Sequence, residues 1–492
     1  MALATQARKP SGGPTGSPRR EFLARSGSGL GSLALAHLLA GAGILRRASG
    51  AASGPLDPRE PHHAPRAKSV IWLFMEGGPS HLDLFDPKPA LERLAGQVTP
   101  ESFKLPVTSA TGSHRMPIVA SMRDWKRHGQ SGLWVSDWYP QIAGHVDKMA
   151  VVRSCWADGV NHVGANRQMN SGSILAGRPS MGAWTTYGLG SSNQNLPAFV
   201  VLSDSKAVKG GPTNWGSGFL PATYQGTHLR QEGPPILNLR PPQHMSEEQQ
   251  RSRLDYLKVL NRHHAGRFPD DDELEARIES YELAFRMQSA APEAVDLGQE
   301  SAATKRLYGM DDEDARRFGT NCLLARRLVE RGVRFVEVYC GSGGGWDSHA
   351  NLERNHSKMC RVSDTPISGL LIDLESRGLL EETLVVWGGE FGRTPFSDGG
   401  PGSIAPDVYG RDHNPWGFTI WLAGAGIAGG QVVGSTDEIG FRASERPCHV
   451  HDIHATILHL LGLNHLDLTY LHNGRAERPT INGGEVIGDL LA

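Results

Sequence analysis

Apolar residues along this chain come in short unbroken runs, and polar clusters follow the ends of those runs. The runs are Val70-Ile71-Trp72-Leu73-Phe74-Met75, Met149-Ala150-Val151-Val152, Ala198-Phe199-Val200-Val201-Leu202, Phe335-Val336-Glu337-Val338-Tyr339, Leu384-Val385-Val386-Trp387 and Phe418-Thr419-Ile420-Trp421. Runs without polar alternation are expected of strands buried on both faces, as in parallel sheets. Helical periodicity lies between several of them. Thr365-Pro366 predicts a helix start, with Ile367, Leu370, Leu371 and Leu374 as the inward stripe and Gly378 as the stop. A second helix is predicted from about Asp312 to Arg331, closing at Gly332. A third is predicted from Asp452, with Ile453, Ile457, Leu460 and Leu461 inward and Gly462 as the stop. Strands alternating with helices predict an α/β domain whose mainly parallel sheet is covered on both faces.

The segment from Ser246 to about Met310 has a different pattern: highly charged, helical, and opened by the capping box Ser246-Glu247-Glu248-Gln249. It reads as a helical insertion, at about residues 246–310, within one α/β domain spanning 68–492. Residues 52–67 read as a Pro/His/Arg linker, and residues 1–51 as an export segment. In the latter, Arg19-Arg20 precede Phe22-Leu23, a weakly hydrophobic stretch runs from Gly29 to Leu45, and small residues follow near Ala51. That order is the layout of a signal peptide, and the Arg pair points to the Tat route and a periplasmic or otherwise exported protein. The apolar stretch is too short and glycine-rich for a membrane span, so no membrane span is expected after processing.

Composition narrows the picture. A formal net charge of −2 over 492 residues gives no electrostatic case for nucleic acid or a membrane surface. Cys155, Cys322, Cys340, Cys360 and Cys448 are scattered and form no CxxC pair, which speaks against a zinc ribbon or a disulfide scaffold and leaves room for one bridge. Sixty glycines and 31 prolines predict long irregular loops between elements, where sites are built.

The polar clusters carry the chemistry. In open α/β sheets, sites sit outside the carboxyl ends of the strands. Glu76 directly follows the first run, in a loop that continues through His81, Asp83 and Asp86. Asp347 and His349 follow the Phe335 run after a glycine loop, two apart and so facing the same way in extended backbone. Glu390 and Arg393 follow the Leu384 run within Gly388-Gly389-Glu390-Phe391-Gly392-Arg393-Thr394-Pro395, and His413 lies in Asp412-His413-Asn414-Pro415. Carboxylates and imidazoles delivered by separate strands to one edge are the ligand types of a divalent cation. Glu76, Asp347, His349, Glu390 and His413 are therefore the expected metal ligands, and Zn, Mg, Mn or Ca the expected cofactor. Arg393 is expected to offer its fork to an anionic oxygen. Each cluster has a plainer reading: an Asx-turn with a surface His at Asp347 and His349, a loop ion pair at Glu390 and Arg393, a structural His at 413. It is their common placement that favours a metal-dependent hydrolase. His451, His454 and His459 read as decoration of the last helix, with only His451 near a cleft. Gly424-Ala425-Gly426-Ile427-Ala428-Gly429 matches a dinucleotide fingerprint, but an extended segment follows it where a helix is required. Neither a G-x-S-x-G elbow nor H-E-x-x-H is present.

From about Lys68 to the C-terminus the motifs resemble the family called domain of unknown function 1501. The residues that carry the likeness are Gly77-Gly78-Pro79-Ser80 with Phe85-Asp86-Pro87-Lys88-Pro89, Pro179-Ser180-Met181-Gly182-Ala183-Trp184, Gly345-Trp346-Asp347-Ser348-His349-Ala350, the Gly388–Pro395 segment, and Asp452-Ile453-His454-Ala455-Thr456. The resemblance implies an αβα sandwich of the alkaline phosphatase-like type, the superfamily of sulfatases and alkaline phosphatases, with a metal site at the strand ends. Glu76-Gly77 looks like that superfamily's strand-ending Asp-Gly, and Asp347 with His349 like its Asp-and-His pair. Glu390 stands where an Asp-His pair is expected, with Phe391 in place of the His. His413 is similar to the late His of the phosphatase branch. The nucleophile departs from the pattern: sulfatases place a Cys or Ser ten positions before the Gly matched here by Gly172, and His162 occupies that place.

Two readings follow. One is a hydrolase of phosphate or sulfate esters, acting on a small-molecule or glycan ester, with His162 and Arg393 as catalytic residues. The other is a non-catalytic metal- or anion-binding protein on the same fold, which the missing nucleophile favours.

Overall fold

Strand β1 (Ser69–Met75) lies near the centre of a nine-stranded sheet, and its parallel neighbours deliver the site. In chain order the other strands are β2 (Met149–Trp156), β3 (Phe199–Ser203), β4 (Thr227–Leu229), β5 (Phe335–Cys340) and β6 (Thr383–Gly388). A separate two-stranded ribbon follows, β7 (Gly392–Ser397) with β8 (Arg411–Asn414), and the sheet resumes with β9 (Phe418–Ala423), β10 (Gln431–Val433) and β11 (Cys448–His449). The strand order is β10-β2-β9-β6-β1-β5-β3-β4, with β11 beside β2. Pairing is parallel throughout except at β9, which runs antiparallel to both β2 and β6. This computed structural model describes residues 54–98, 116–204, 207–230, 245–265, 272–398, 405 and 408–492; the expected export segment falls outside them. Pro55–Ala492 form one compact unit.

The unbroken apolar runs are explained by cover on both faces. On one face Ile71, Leu73, Val336, Val338 and Val385 pack against helices α5 (Arg316–Glu330) and α6 (Leu352–Ser376). On the other, Val70, Trp72, Phe74, Phe335 and Val386 pack against α1 (His162–Ser171), α2 (Met181–Leu189) and α7 (Val450–Leu460). This is the three-layered αβα sandwich. The charged segment forms α3 (Glu247–Ala265) and α4 (Asp272–Val295), and its predicted capping box is present: Ser246 Oγ accepts from Gln249 N–H and Gln249 Oε1 from Ser246 N–H. The linker segment is bonded onto the domain, with Arg66 N–H and Ala67 N–H both donating to Leu460 O at 2.8 Å.

Two predicted helix starts need correction. Pro366 sits inside α6, which begins at Leu352. Proline forfeits one backbone hydrogen bond there, but Leu352, Met359, Cys360 and Val362 extend the buried stripe upstream, so packing carries the helix through. The last helix begins at Val450, capped by His449. Asp452 is the third helical residue, accepting from His449 N–H at 2.7 Å to complete a capping box. All five cysteines are buried and free, so the bridge the sequence left room for is not formed. Among the described residues no helix is long and apolar enough to cross a membrane.

Candidate metal centre

Three adjacent strands, β5, β1 and β6, end at one edge of the sheet, and the loops after them carry Asp347, Glu76 and Glu390. The loops approach so closely that only glycine fits between them. A Cβ on Gly77, whose φ is +117°, would lie 2.5 Å from Asp347 N. His162 is the first residue of α1, capped by Asn161, whose Oδ1 accepts from Gly164 N–H at 3.0 Å. His413 comes from the β7–β8 ribbon, where it pairs in register with Arg393.

These elements bring His162, Asp347, His349 and His413 together, with one potential ligand atom from each lying within 4.8 Å of the others. His349 Nε2 is 3.0 Å and His413 Nε2 3.4 Å from Asp347 Oδ1, and the two Nε2 atoms are 3.0 Å apart. His162 Nε2 is 2.8 Å from Asp347 Oδ2. The opposite nitrogen of each ring is occupied. Nδ1 of His162 lies 2.6 Å from Glu390 Oε1, Nδ1 of His349 2.7 Å from Asp398 Oδ2, and Nδ1 of His413 3.0 Å from Val160 O. A carboxylate or carbonyl can only accept, so each Nδ1 carries a proton, and Nε2 is the atom that offers a lone pair to a cation once its own proton is gone. Nε2 lone pairs directed at one another and at a carboxylate repel, so the gathered atoms need either protons or a metal cation between them. The His162 Nε2 contact has hydrogen-bond length but no partner in hydrogen-bond direction. The separations lie close to the ~3.3 Å expected between ligands of a tetrahedral site with ~2.0–2.1 Å bonds. Orientation of each ligand imidazole by an acceptor on its other nitrogen is the usual support of a histidine metal site. The donor set fits a divalent cation of zinc type.

In the metal-free centre protons stand in for the cation. Burial would raise the Asp347 carboxyl, but the imidazoles of His162, His349 and His413 against it and the charge of Arg393 hold it far below the ordinary carboxylate range. His349 is pushed up to about 9 by its hydrogen bonds to Asp347 and Asp398. Burial would lower His162, yet the Asp347 and Glu390 carboxylates on either side of the ring outweigh it and the group is raised. At His413 burial prevails and lowers the group.

The other expected ligands lie outside this group. Glu390 is fully buried, receives Gly77 N–H on both oxygens at 3.0 and 3.1 Å, and bonds His162. Glu76 accepts from Lys209 N–H at 2.5 Å and Asn166 Nδ2 at 3.4 Å on one oxygen, and from Gly343 N–H at 2.9 Å on the other. Its carboxyl is raised to about 7 by burial and by the charge of Glu390, against the pull of the two amides. Arg393 faces inward rather than toward an incoming anion. It is 0% exposed, and its nitrogens donate to Gly78 O, Arg411 O, Gly77 O, Trp346 O and Asp347 Oδ1, the last at 2.8 Å. All three of its nitrogens are engaged by these five acceptors, which makes it a brace for Asp347.

Sequence reasoning missed Lys209 and Asp398. The Lys209 ammonium lies 3.2 Å from Asp347 Oδ2 and is 28% exposed, so it reaches the open side of the centre. Its backbone is clamped, the N–H by Glu76 and the carbonyl by Asn166 Nδ2 and Asn214 Nδ2 at 2.8 and 3.0 Å. The available signal was position alone: Lys209 follows the run ending at Leu202, at the same edge of the sheet. Asp398 adds a second group with His349 and Asp412. Phe391 stacks on His413 with ring centroids 4.3 Å apart and forms an apolar wall. The histidines of the last helix serve packing: His451 Nε2 and His454 Nε2 bond Gly172 O and Met169 O, at the end of α1.

Fold and site together define a mainly parallel αβα protein with a His₃Asp candidate metal centre at the strand ends. The chain belongs to the family described as Protein of unknown function (DUF1501), whose model matches residues 67–491. No curated protein matches the sequence. Similar solved structures include a magnesium-bound mutant of TAB5 alkaline phosphatase, at 12% identity and a TM-score of 0.34 over 82% of this chain and 99% of that one. A sulfatase from Pseudoalteromonas sp. is similar at 14% identity and a TM-score of 0.33, over 91% and 72% of the two chains. The phosphonate monoester hydrolase of Silicibacter pomeroyi is similar at 10% and 0.32, over 71% and 72%. Likeness at this level carries no argument about the site, which rests on its own geometry.

Proposed function

We propose that this protein is an exported, metal-dependent hydrolase of phosphate or sulfate esters. The observation that supports it is the triple of histidines whose Nδ1 atoms are pinned by Glu390, Asp398 and Val160 while their Nε2 atoms gather around Asp347. His162, Asp347, His349 and His413 would hold the cation. When bound, a divalent cation supplies Lewis-acid polarisation of an ester oxygen. The chain's own residues do the rest. Lys209 offers a positive charge to the ester's anionic oxygens from the open side. Phe391 keeps water from one flank of His413 and His162. Arg393 fixes Asp347, and Glu390 fixes the tautomer of His162. His162 acts as a ligand here, since both of its nitrogens are committed. The chemistry then runs without a side-chain nucleophile, by attack of water. Export by the Tat route, on Arg19-Arg20, suits a protein that must fold around its metal before crossing a membrane.

The second reading is a non-catalytic metal-binding protein, which the His at the usual nucleophile position favours. Metal analysis of the purified protein, together with turnover of p-nitrophenyl phosphate and p-nitrophenyl sulfate under Zn, Mn, Mg and Ca, separates the two. About one equivalent of metal with turnover supports the hydrolase, and metal without turnover leaves the binding protein.

A further inference from the structure

Away from the metal centre, a cavity of about 500 Å³ is lined by Lys88, Arg123, Arg153, Trp125 and Trp134, with Glu92 and Asp124 also in its wall. The tryptophans come from one hairpin, Trp125–His128 paired with Leu133–Ser136. Leu133 and Val135 are buried in the main core. The alternation of a strand therefore turns Trp134 to the opposite face, and the register brings Trp125 to that face too.

Arg153 projects into the cavity from β2. Its side chain is 15% exposed, and its Nε is buried without a hydrogen-bond partner. The nearest carboxylate oxygen, Asp86 Oδ1, is 3.8 Å away and is shared with Lys88 Nζ at 3.1 Å, while the Thr436 hydroxyl donates to Asp86 Oδ2. Arg123 Nε is also buried without a partner, although its terminal nitrogens are held by Asp137 and Glu353. A largely buried guanidinium whose carboxylate neighbour is 3.8 Å away and shared with Lys88 is poorly neutralised, and an anionic oxygen in the cavity would pair with its terminal nitrogens.

We propose that this cavity binds an anionic saccharide, its carboxylate or sulfate on Arg153, its ring against the indoles of Trp125 and Trp134, and its hydroxyls donating to Glu92 and Asp124. The volume suits a small ligand, for which pockets run to roughly 300–1,000 Å³. The two acidic residues decide the class. They accept hydroxyl protons from a sugar but repel a polyphosphate or nucleic-acid backbone. The proposal does not depend on the metal centre or on hydrolysis.

Calorimetric titration of the metal-loaded protein with glucuronate, glucose and acetate tests it, because glucuronate carries no ester to cleave. Glucuronate is expected to bind at least tenfold more tightly than glucose or acetate, and at least tenfold more weakly to Arg153→Gln and to Trp134→Ala. His349→Ala, altered only at the metal centre, is expected to bind glucuronate as the parent does. Absence of glucuronate binding, acetate binding of equal strength, unchanged binding in a folded Arg153→Gln or Trp134→Ala protein, or loss of binding in His349→Ala would each overturn the proposal. If Arg153→Gln fails to fold by circular dichroism, Trp134→Ala on the partly exposed hairpin decides alone.

Discussion

Glu390 holds His162 by a 2.6 Å hydrogen bond to Nδ1, and both Glu390 oxygens are themselves fixed by Gly77 N–H. The imidazole at the start of α1 is thus tied to the loop after β1 through a carboxylate from the loop after β6. Glu390→Gln keeps the shape but replaces an ionised acceptor with a neutral amide. Loss of such support for a ligand histidine typically costs about 10–100-fold in metal affinity, and a drop of that size is expected here with the fold retained. Competition for zinc against a calibrated chelator measures it. Unchanged affinity would mean that His162 is not a ligand.

Metal affinity should also depend on pH in a defined direction. In the metal-free protein His349 is raised to about 9 by Asp347 and Asp398, so at neutral pH it carries a proton that a cation must displace. Raising the pH removes this competition, and affinity should climb by up to about tenfold per unit until pH nears 9. Asp398→Asn removes one of the two carboxylates responsible and should flatten the climb. Titrations at pH 6.5, 7.5 and 8.5 check this, and an affinity that falls with rising pH would contradict it.

Much of this arrangement was legible before the structure, and the missing parts share a cause. The apolar runs ending at Met75, Tyr339 and Trp387 located the sheet edge, and the spacing of Asp347 and His349 put both on one side of their loop. The role of Glu390 could not be read, because it depends on Gly77 N–H and His162, which are 313 and 228 positions away in the chain. His162 was found through its offset from Gly172, which suggested a nucleophile; its part as a ligand depends on the α1 N-terminus abutting the Asp347 loop. Arg393 was expected to face the anion because local sequence does not reveal that five acceptors surround it. Pro366 misled for the opposite reason, a strong local stop overridden by the packing of α6.

His356 provides a stability test. Ser80 N–H donates to its Nε2 at 3.0 Å and its Nδ1 meets Ser348 Oγ at 3.1 Å, so it joins the loop after β1 to the loop carrying Asp347 and His349. Burial first, then the charge of Arg393, lowers its pKa to about 3, from 6.5 for a free imidazole. The unfolded chain therefore binds this proton between pH 6.5 and about 3 while the folded protein does not. The contribution to stability is present above pH 6.5 and is lost as the pH falls through that window. His356→Gln should cost about 1–3 kcal/mol at pH 7 through an unmet buried donor, and should lessen the decline on acidification relative to the parent. Denaturant midpoints at pH 7.5, 6 and 5 provide the comparison; equal acid slopes in the two proteins would count against a buried neutral imidazole.

The ligand and nucleophile readings of His162 can be separated by following metal and turnover together. If His162 is a ligand, His162→Ala lowers metal affinity, and turnover at limiting zinc falls with occupancy and recovers in part at excess zinc. If His162 attacks the ester, metal affinity is unchanged and no excess of zinc restores turnover. The geometry favours the first outcome, because Nδ1 is committed to Glu390 and Nε2 to the Asp347 cluster. Asp347→Ala should be more severe than either. It removes the one carboxylate that meets His162, His349, His413, Arg393 and Lys209, leaving like charges and lone pairs without a counter-ion. The αβα core should nevertheless remain folded, since a half-buried loop carboxylate contributes little packing. We expect Asp347→Ala to lose both metal and turnover at every zinc concentration while keeping the parent circular dichroism spectrum. An Asp347→Ala protein that still bound zinc stoichiometrically would show that the histidines hold the ion elsewhere and would end the assignment of this centre.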